Sequence, residues 1–123
     1  MLHQYNGIRP KMRIFATLNA IRGFRKRHLA CLETVADYDI ALEIGLNQEQ
    51  GDPLTMKRLH LLGIASVATL HRRLRRLRQA GAVMQRRSAN DRRAVELLLS
   101  PALWKIYARY GKVIRAAIAG QPS

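Results

Sequence analysis

The chain is poor in cysteine, aromatic residues and acids, and each shortage excludes something. The single thiol, Cys31, allows no internal disulfide and leaves too few soft ligands for a structural zinc site. Phe, Trp and Tyr make up only 6% of the residues, so a core must be packed from Leu, Ile, Val and Ala. No uncharged run reaches the length that spans a bilayer. Lys and Arg at positions 9, 11, 13, 22 and 25 to 27 interrupt any signal-peptide core, so a cytoplasmic, nucleoid-associated location without a membrane partner is expected. There is no Gly-rich phosphate loop, Ser66 has neither a base nor an oxyanion site near it in sequence, and His3, His28, His60 and His71 lack metal-ligand spacing. An enzyme is not expected, and neither is a metal or a cofactor.

What the chain does have is cation. Twenty-two Lys and Arg against eight Asp and Glu give a formal charge of +14 on 14.0 kDa, a field that attracts a polyanion. By charge alone DNA, RNA and an anionic membrane all qualify. The charge is segregated: residues 1–30 hold seven Lys or Arg and no acid, and residues 31–52 hold six acids and no Lys or Arg. An acidic helix could pair with the basic first helix, or the two faces could be solvated separately. At 123 residues one domain with one core is expected, with a basic helical arm over 1–30, a reading unit over 54–99 and a closing helix over 101–119.

The most informative stretch is 66–80, SVATLHRRLRRLRQA, followed by Gly81. At about 100° per residue, Val67, Leu70, Leu74 and Leu77 share one narrow sector. Opposite them lie Ala68, Arg72, Arg75 and Gln79, with Thr69 and Arg76 on one shoulder and His71 and Arg78 towards the other. Ser66 can cap the first amides, and Gly81 suits the left-handed residue after a helix. Upstream, Thr55 can cap a short helix over MKRLHLL with Leu59 and Leu62 inward, and GIA joins the two. Two short helices around a Gly-containing turn form a helix-turn-helix, whose second helix enters the DNA major groove. Downstream, AVMQRR and VELLL predict strands flanking SANDRR, a wing with a basic tip. The fold class expected is mainly α with a small β-wing, a winged helix-turn-helix.

From about residue 30 to 105 the sequence resembles the MarR family of bacterial transcription regulators. The resemblance rests on T-L-H-R at 69–72, Leu74, Leu77 and Gly81, D-R-R at 91–93 and L-S at 99–100. It departs from the family in a turn one residue longer, in Gln85 where an arginine is usual, and in the short chain after the wing. By that resemblance the recognition helix reads bases through Thr69 and Arg72, a wing arginine, Arg93 or Arg92, reaches the minor groove, and Asp91 orients it. Ser66, Ala68, His71, Arg75 and Asn90 join the expected DNA surface, and Arg73, Arg76 and Arg86 are expected to clamp phosphate. Cys31 is expected to be a small buried hydrophobe. Its rival role is a redox-sensing thiol with a pKa lowered by Arg27 and His28, since some members of the resembled family use a lone cysteine.

The remaining elements frame that unit. A helix from Pro10 towards Leu29 would turn Ile14, Phe15, Leu18, Ile21 and Phe24 to one side. A second, over about 34–49, would rest on Val35, Tyr38, Leu42 and Leu46, broadened by Ile40 and Ile44. Leu54 could add a short strand to the wing. Ser100 and Pro101 open a last helix over about 102–118 whose apolar arc is too wide for one core. Phe15, Leu18, Trp104, Tyr107 and Ile114 are therefore expected at a homodimer contact, the first helix compensating for the short C-terminal region. The function expected is sequence-specific binding of double-stranded DNA at a near-palindromic operator, with an effector left unspecified. The alternative is a winged-helix protein-interaction module or a sequence-neutral DNA-coating protein.

Overall fold

A computed structural model of the chain describes residues 13–119. It is mainly helical with one antiparallel hairpin: α1 Ile14–His28, α2 Val35–Glu49, α3 Met56–Leu61, α4 Val67–Gln79, β1 Val83–Arg87, β2 Val95–Leu99 and α5 Pro101–Ala119. The chain divides into two compact units, Ala30–Lys105 and Met1–Leu29 with Ile106–Ser123.

In the first of these units α2 begins at a capping box. The Thr34 hydroxyl accepts the N–H of Asp37, and the Asp37 carboxylate accepts the N–H of Thr34, so two otherwise orphaned donors are satisfied. The helix boundaries agree with the sequence, but its buried face agrees only at Ile40 and Ile44. Ile40, Ala41 and Ile44 are buried, whereas Val35, Leu42 and Leu46 are exposed and Tyr38 is half-buried. The true inner stripe carries a polar residue at each end, Asp37 and Asn47, both buried. Asn47 donates to the Glu43 carbonyl and accepts from Arg58, so its burial is compensated. A Cβ on Gly45 would stand 3.2 Å from Leu99 Cδ1, and the Gln48 carboxamide accepts the Leu99 N–H at 2.9 Å. Thus α2 lies close against β2.

The helix-turn-helix follows. Thr55 caps α3 through the Arg58 N–H, Leu59 is buried, and Leu62, expected inward, is exposed because α3 has already ended at Leu61. Gly63 takes φ 68° in the turn, a conformation costly for other residues. Ser66 then caps α4, whose Leu70, Leu74 and Leu77 are buried, while Val67 in the first turn is exposed. The hairpin pairs Val83 with Leu99 through Arg87 with Val95. The short strand expected at Leu54 is a single bridge, Thr55 to Glu96, with the Leu97 N–H donated to the Leu54 carbonyl at 2.8 Å. Ser100 caps α5 by accepting the Leu103 N–H, with Pro101 in the first helical position.

In the other unit α1 runs unbroken through Gly23; Pro10, the expected start, lies outside the described residues. Phe24 is buried and stacks on Tyr110 with centroids 4.9 Å apart. Ile14, Phe15 and Leu18 are exposed, Phe15 by 80%.

Candidate nucleic-acid interface

Helix α4 offers two kinds of arginine. Arg72, Arg75 and Arg78 are exposed and have no side-chain partner among the described residues. Arg72 and Arg75 stand opposite the buried leucines, so the side of the helix that faces solvent is the side that carries uncompensated charge. Arg78 was absent from the residues expected at the site, although its exposure and freedom match theirs.

Arg73 and Arg76 differ. Arg73 lies about 60° from the leucine sector, at roughly 100° per residue, and its side chain is only 16% exposed. Its Nε and Nη2 donate to the two oxygens of the fully buried Asp37, Nε at 2.8 Å and Nη2 at 2.6 Å, and Nη2 also reaches Glu33 at 3.1 Å. Arg76 grips Glu33 with a two-pronged fork, Nε to Oε1 at 2.7 Å and Nη2 to Oε2 at 2.9 Å. The expected phosphate clamps are therefore carboxylate-bound, and Arg73 ties α4 to the start of α2. Of the two arrangements open to the acidic segment, part of it takes a third: Glu33 and Asp37 pair with Arg73 and Arg76 of α4.

The electrostatics follow from these contacts. Hydrogen bonds from Arg76 and then Arg73 hold the Glu33 carboxyl at about 2, below its ordinary 4.5. Burial alone would push Asp37 up, but the guanidinium of Arg73 and the N–H groups of Glu33 and Thr34 outweigh it and the net shift is downward. Neither acid is among the residues expected at the site. The available signal was their spacing of four residues at a helix start.

The wing carries Arg86, Arg87, Asn90, Arg92 and Arg93, all exposed. Arg86, expected on phosphate, sits across from Glu96 in the hairpin register and donates to it from Nε at 2.9 Å, a cross-strand pair. Asp91 accepts the backbone N–H of Arg93 at 3.0 Å, so it shapes the turn through the main chain instead of by gripping a guanidinium. Ser88 Oγ accepts the N–H groups of Asn90 and Asp91. Arg87, not among the expected residues, braces the tip by donating to the Arg92 carbonyl. Arg92 and Arg93 have no side-chain partner among the described residues.

At the start of α4, Ser66 donates its hydroxyl to Thr69 Oγ1 at 3.0 Å while accepting the Thr69 N–H. Ala68 is exposed and Thr69 half-buried. His71 is exposed, its ring 5.0 Å from that of His60 on α3. Cys31 is half-buried, and burial followed by the nearby charge of Asp37 pushes its thiol pKa up despite hydrogen bonds from the backbone. The lowering expected from Arg27 and His28 is not found. Among the described residues no group of three or more His, Cys, Asp or Glu could hold a metal, and no helix is long and apolar enough to cross a membrane.

A helix-turn-helix followed by a basic-tipped hairpin defines the winged-helix class. Comparison with solved structures narrows this to a MarR-like winged helix. A crystal structure of MarR is 23% identical, covering 85% of this chain and 74% of its own, with TM-score 0.54. A mutant MarR from E. coli complexed with operator DNA is 21% identical, covering 94% and 81%, with TM-score 0.54. A MarR-family transcriptional regulator from Silicibacter pomeroyi is 22% identical, covering 80% and 64%, with TM-score 0.51. No family model and no curated protein matches the chain.

Proposed function

We propose that this chain is a double-stranded-DNA-binding transcription regulator that sets α4 in the major groove and the wing tip at the minor groove. The observation that carries the reading is the outward face of α4, where Arg72 and Arg75 stand exposed with no carboxylate partner among the described residues, on the second helix of a helix-turn-helix. Arginine is the residue that makes bidentate contacts to guanine edges, and a helix of this kind fits the major groove. Thr69 is half-buried beside its cap, so Arg72 is the stronger reader. Arg92 or Arg93 supplies the wing contact, and Ser66, Ala68, His71 and Asn90 border it. The solved MarR complexed with operator DNA supports this reading through a shared fold.

A homodimer on a near-palindromic operator completes the proposal. Phe15, Leu18 and Trp104 are exposed, and Tyr107 and Ile114 are half-buried, so the terminal helices keep apolar surface that a second copy would cover. Bound near a promoter, such a dimer would act by blocking or redirecting polymerase. Selection of bound fragments from a random duplex pool tests the proposal. It should return an inverted repeat with half-sites about 34 Å, one helical turn, apart. Recovery of duplexes with no shared motif would instead favour a sequence-neutral coat.

A further inference from the structure

Glu33 reaches from the start of α2 to an exposed arginine of α4. It stands immediately before the Thr34 cap of α2, and its own backbone N–H is donated to the Asp37 carboxylate at 2.9 Å, so its position in the chain is pinned. From there the side chain reaches across to α4 and fills the Nε and Nη2 side of Arg76 with both oxygens. That fork is the geometry in which a guanidinium takes two oxygens of a phosphate. Glu33 therefore occupies the hydrogen-bonding edge of Arg76 that a DNA backbone would use.

Exposure decides whether the edge can be vacated. Asp37 is fully buried under Arg73, and stripping a partner from a buried pair is costly, so that contact is permanent. The Glu33 and Arg76 side chains are 41% and 57% exposed, and water screens a pair of that kind until it is worth little. An incoming phosphate can compete for Arg76 but not for Arg73.

Resting on the DNA-binding reading above, we propose that Glu33 is an intramolecular competitor of the DNA backbone for Arg76, and so sets the affinity of the recognition helix for any duplex. The partner it mimics is a phosphodiester. Because phosphates carry no base identity, Glu33 lowers affinity for operator and arbitrary sequence alike. With Glu33 in place Arg76 contributes little to the salt dependence of binding; with it gone, one more phosphate is neutralised.

The test is a double-mutant cycle read by duplex titration at several salt concentrations. Glu33→Gln should raise affinity for every duplex by roughly two- to fivefold per subunit at low salt, the worth of an exposed pair. It should also steepen the slope of log K against log salt by about 0.9 per subunit, about 1.8 for a dimer on its operator, which is roughly twelvefold more loss between 50 and 200 mM. In the Arg76→Ala background the change of slope should vanish and the gain should shrink to about that given by loss of an unpaired acid. Asp39→Asn removes an equal charge from an exposed α2 residue with no side-chain partner among the described residues, and should give a smaller gain. Independently of whether Glu33→Gln folds, Arg76→Ala alone should weaken the natural sequence far less than Arg72→Ala does. A gain undiminished without Arg76, a gain matched by Asp39→Asn, or an Arg76→Ala loss as large as that of Arg72→Ala would overturn the inference while leaving the DNA-binding reading standing. Absence of duplex binding by the unmodified chain would overturn both.

Discussion

Arg73→Ala should unfold this protein early without making it a poor reader of bases. The substitution strands a carboxylate that is fully buried and that now accepts from Arg73 Nε and Nη2 as well as from the N–H groups of Glu33 and Thr34. Removing one partner of a buried pair costs about 3 to 5 kcal/mol. The two backbone donors stay, and Arg73 is 16% exposed, so the lower end, about 3 kcal/mol, applies. Against a total of roughly 5 to 15 kcal/mol this is a large fraction. For a chain of this size it corresponds to a fall in melting temperature of roughly 10 °C. The assay is thermal unfolding followed by far-ultraviolet circular dichroism, with Arg75→Ala as reference. Arg75 is exposed and unpartnered among the described residues, and its loss should stay within about 0.5 kcal/mol. Equal melting temperatures for the two variants, with Arg73→Ala weakening DNA binding instead, would refute the assignment of Arg73 to the fold.

Three further outcomes are expected. Arg72→Ala should lose about 1 to 3 kcal/mol of binding and relax preference at one base position, whereas loss of Arg86, already held by Glu96, should change binding far less; competition titrations with single-base operator variants would show it. The Glu33 carboxyl, held at about 2 against an ordinary 4.5, contributes stability that is present above about pH 4.5 and is lost as pH falls through 2; Asp37, also lowered, acts in the same sense. The melting temperature should therefore fall on acidification from about pH 5, and fall less in Glu33→Gln; identical acid profiles would contradict this. Leu18→Glu and Ile114→Glu together should give a folded monomer with weaker operator binding, and light scattering that showed the unmodified chain to be monomeric at micromolar concentration would remove the dimer.

The backbone plan was legible because local signals agree with it. Thr34, Thr55, Ser66 and Ser100 each precede a helix and each caps it, Gly63 and Gly81 take positive φ, and the hairpin falls where two β-prone runs flank a polar turn. Periodicity located the core of α4, where the leucines are the only apolar stripe. It misled on α2, because the buried stripe there includes Asp37 and Asn47 and an apolar count prefers the exposed Val35, Leu42 and Leu46. The division among the arginines was not legible for a related reason. Which guanidinium is free depends on acids about 40 residues away, or on a strand register, and neither leaves a trace in local pattern. The local hints were the four-residue spacing of Glu33 and Asp37 at a helix start and the place of Arg73 nearer the leucines than the outward face.

The central claim is that the free arginines of α4 and the wing bind duplex DNA, and the salt dependence of binding by single-site variants tests it most directly. For a dimer that neutralises roughly 6 to 10 phosphates, log K should fall against log salt with a slope of about −5 to −9. Replacing Arg72, Arg75 or Arg93 should reduce affinity, and replacing Arg73 in a protein held below its melting temperature should leave the slope unchanged. A flat salt response, or variants at Arg72, Arg75 and Arg93 that bind as tightly as the unmodified chain, would contradict the account.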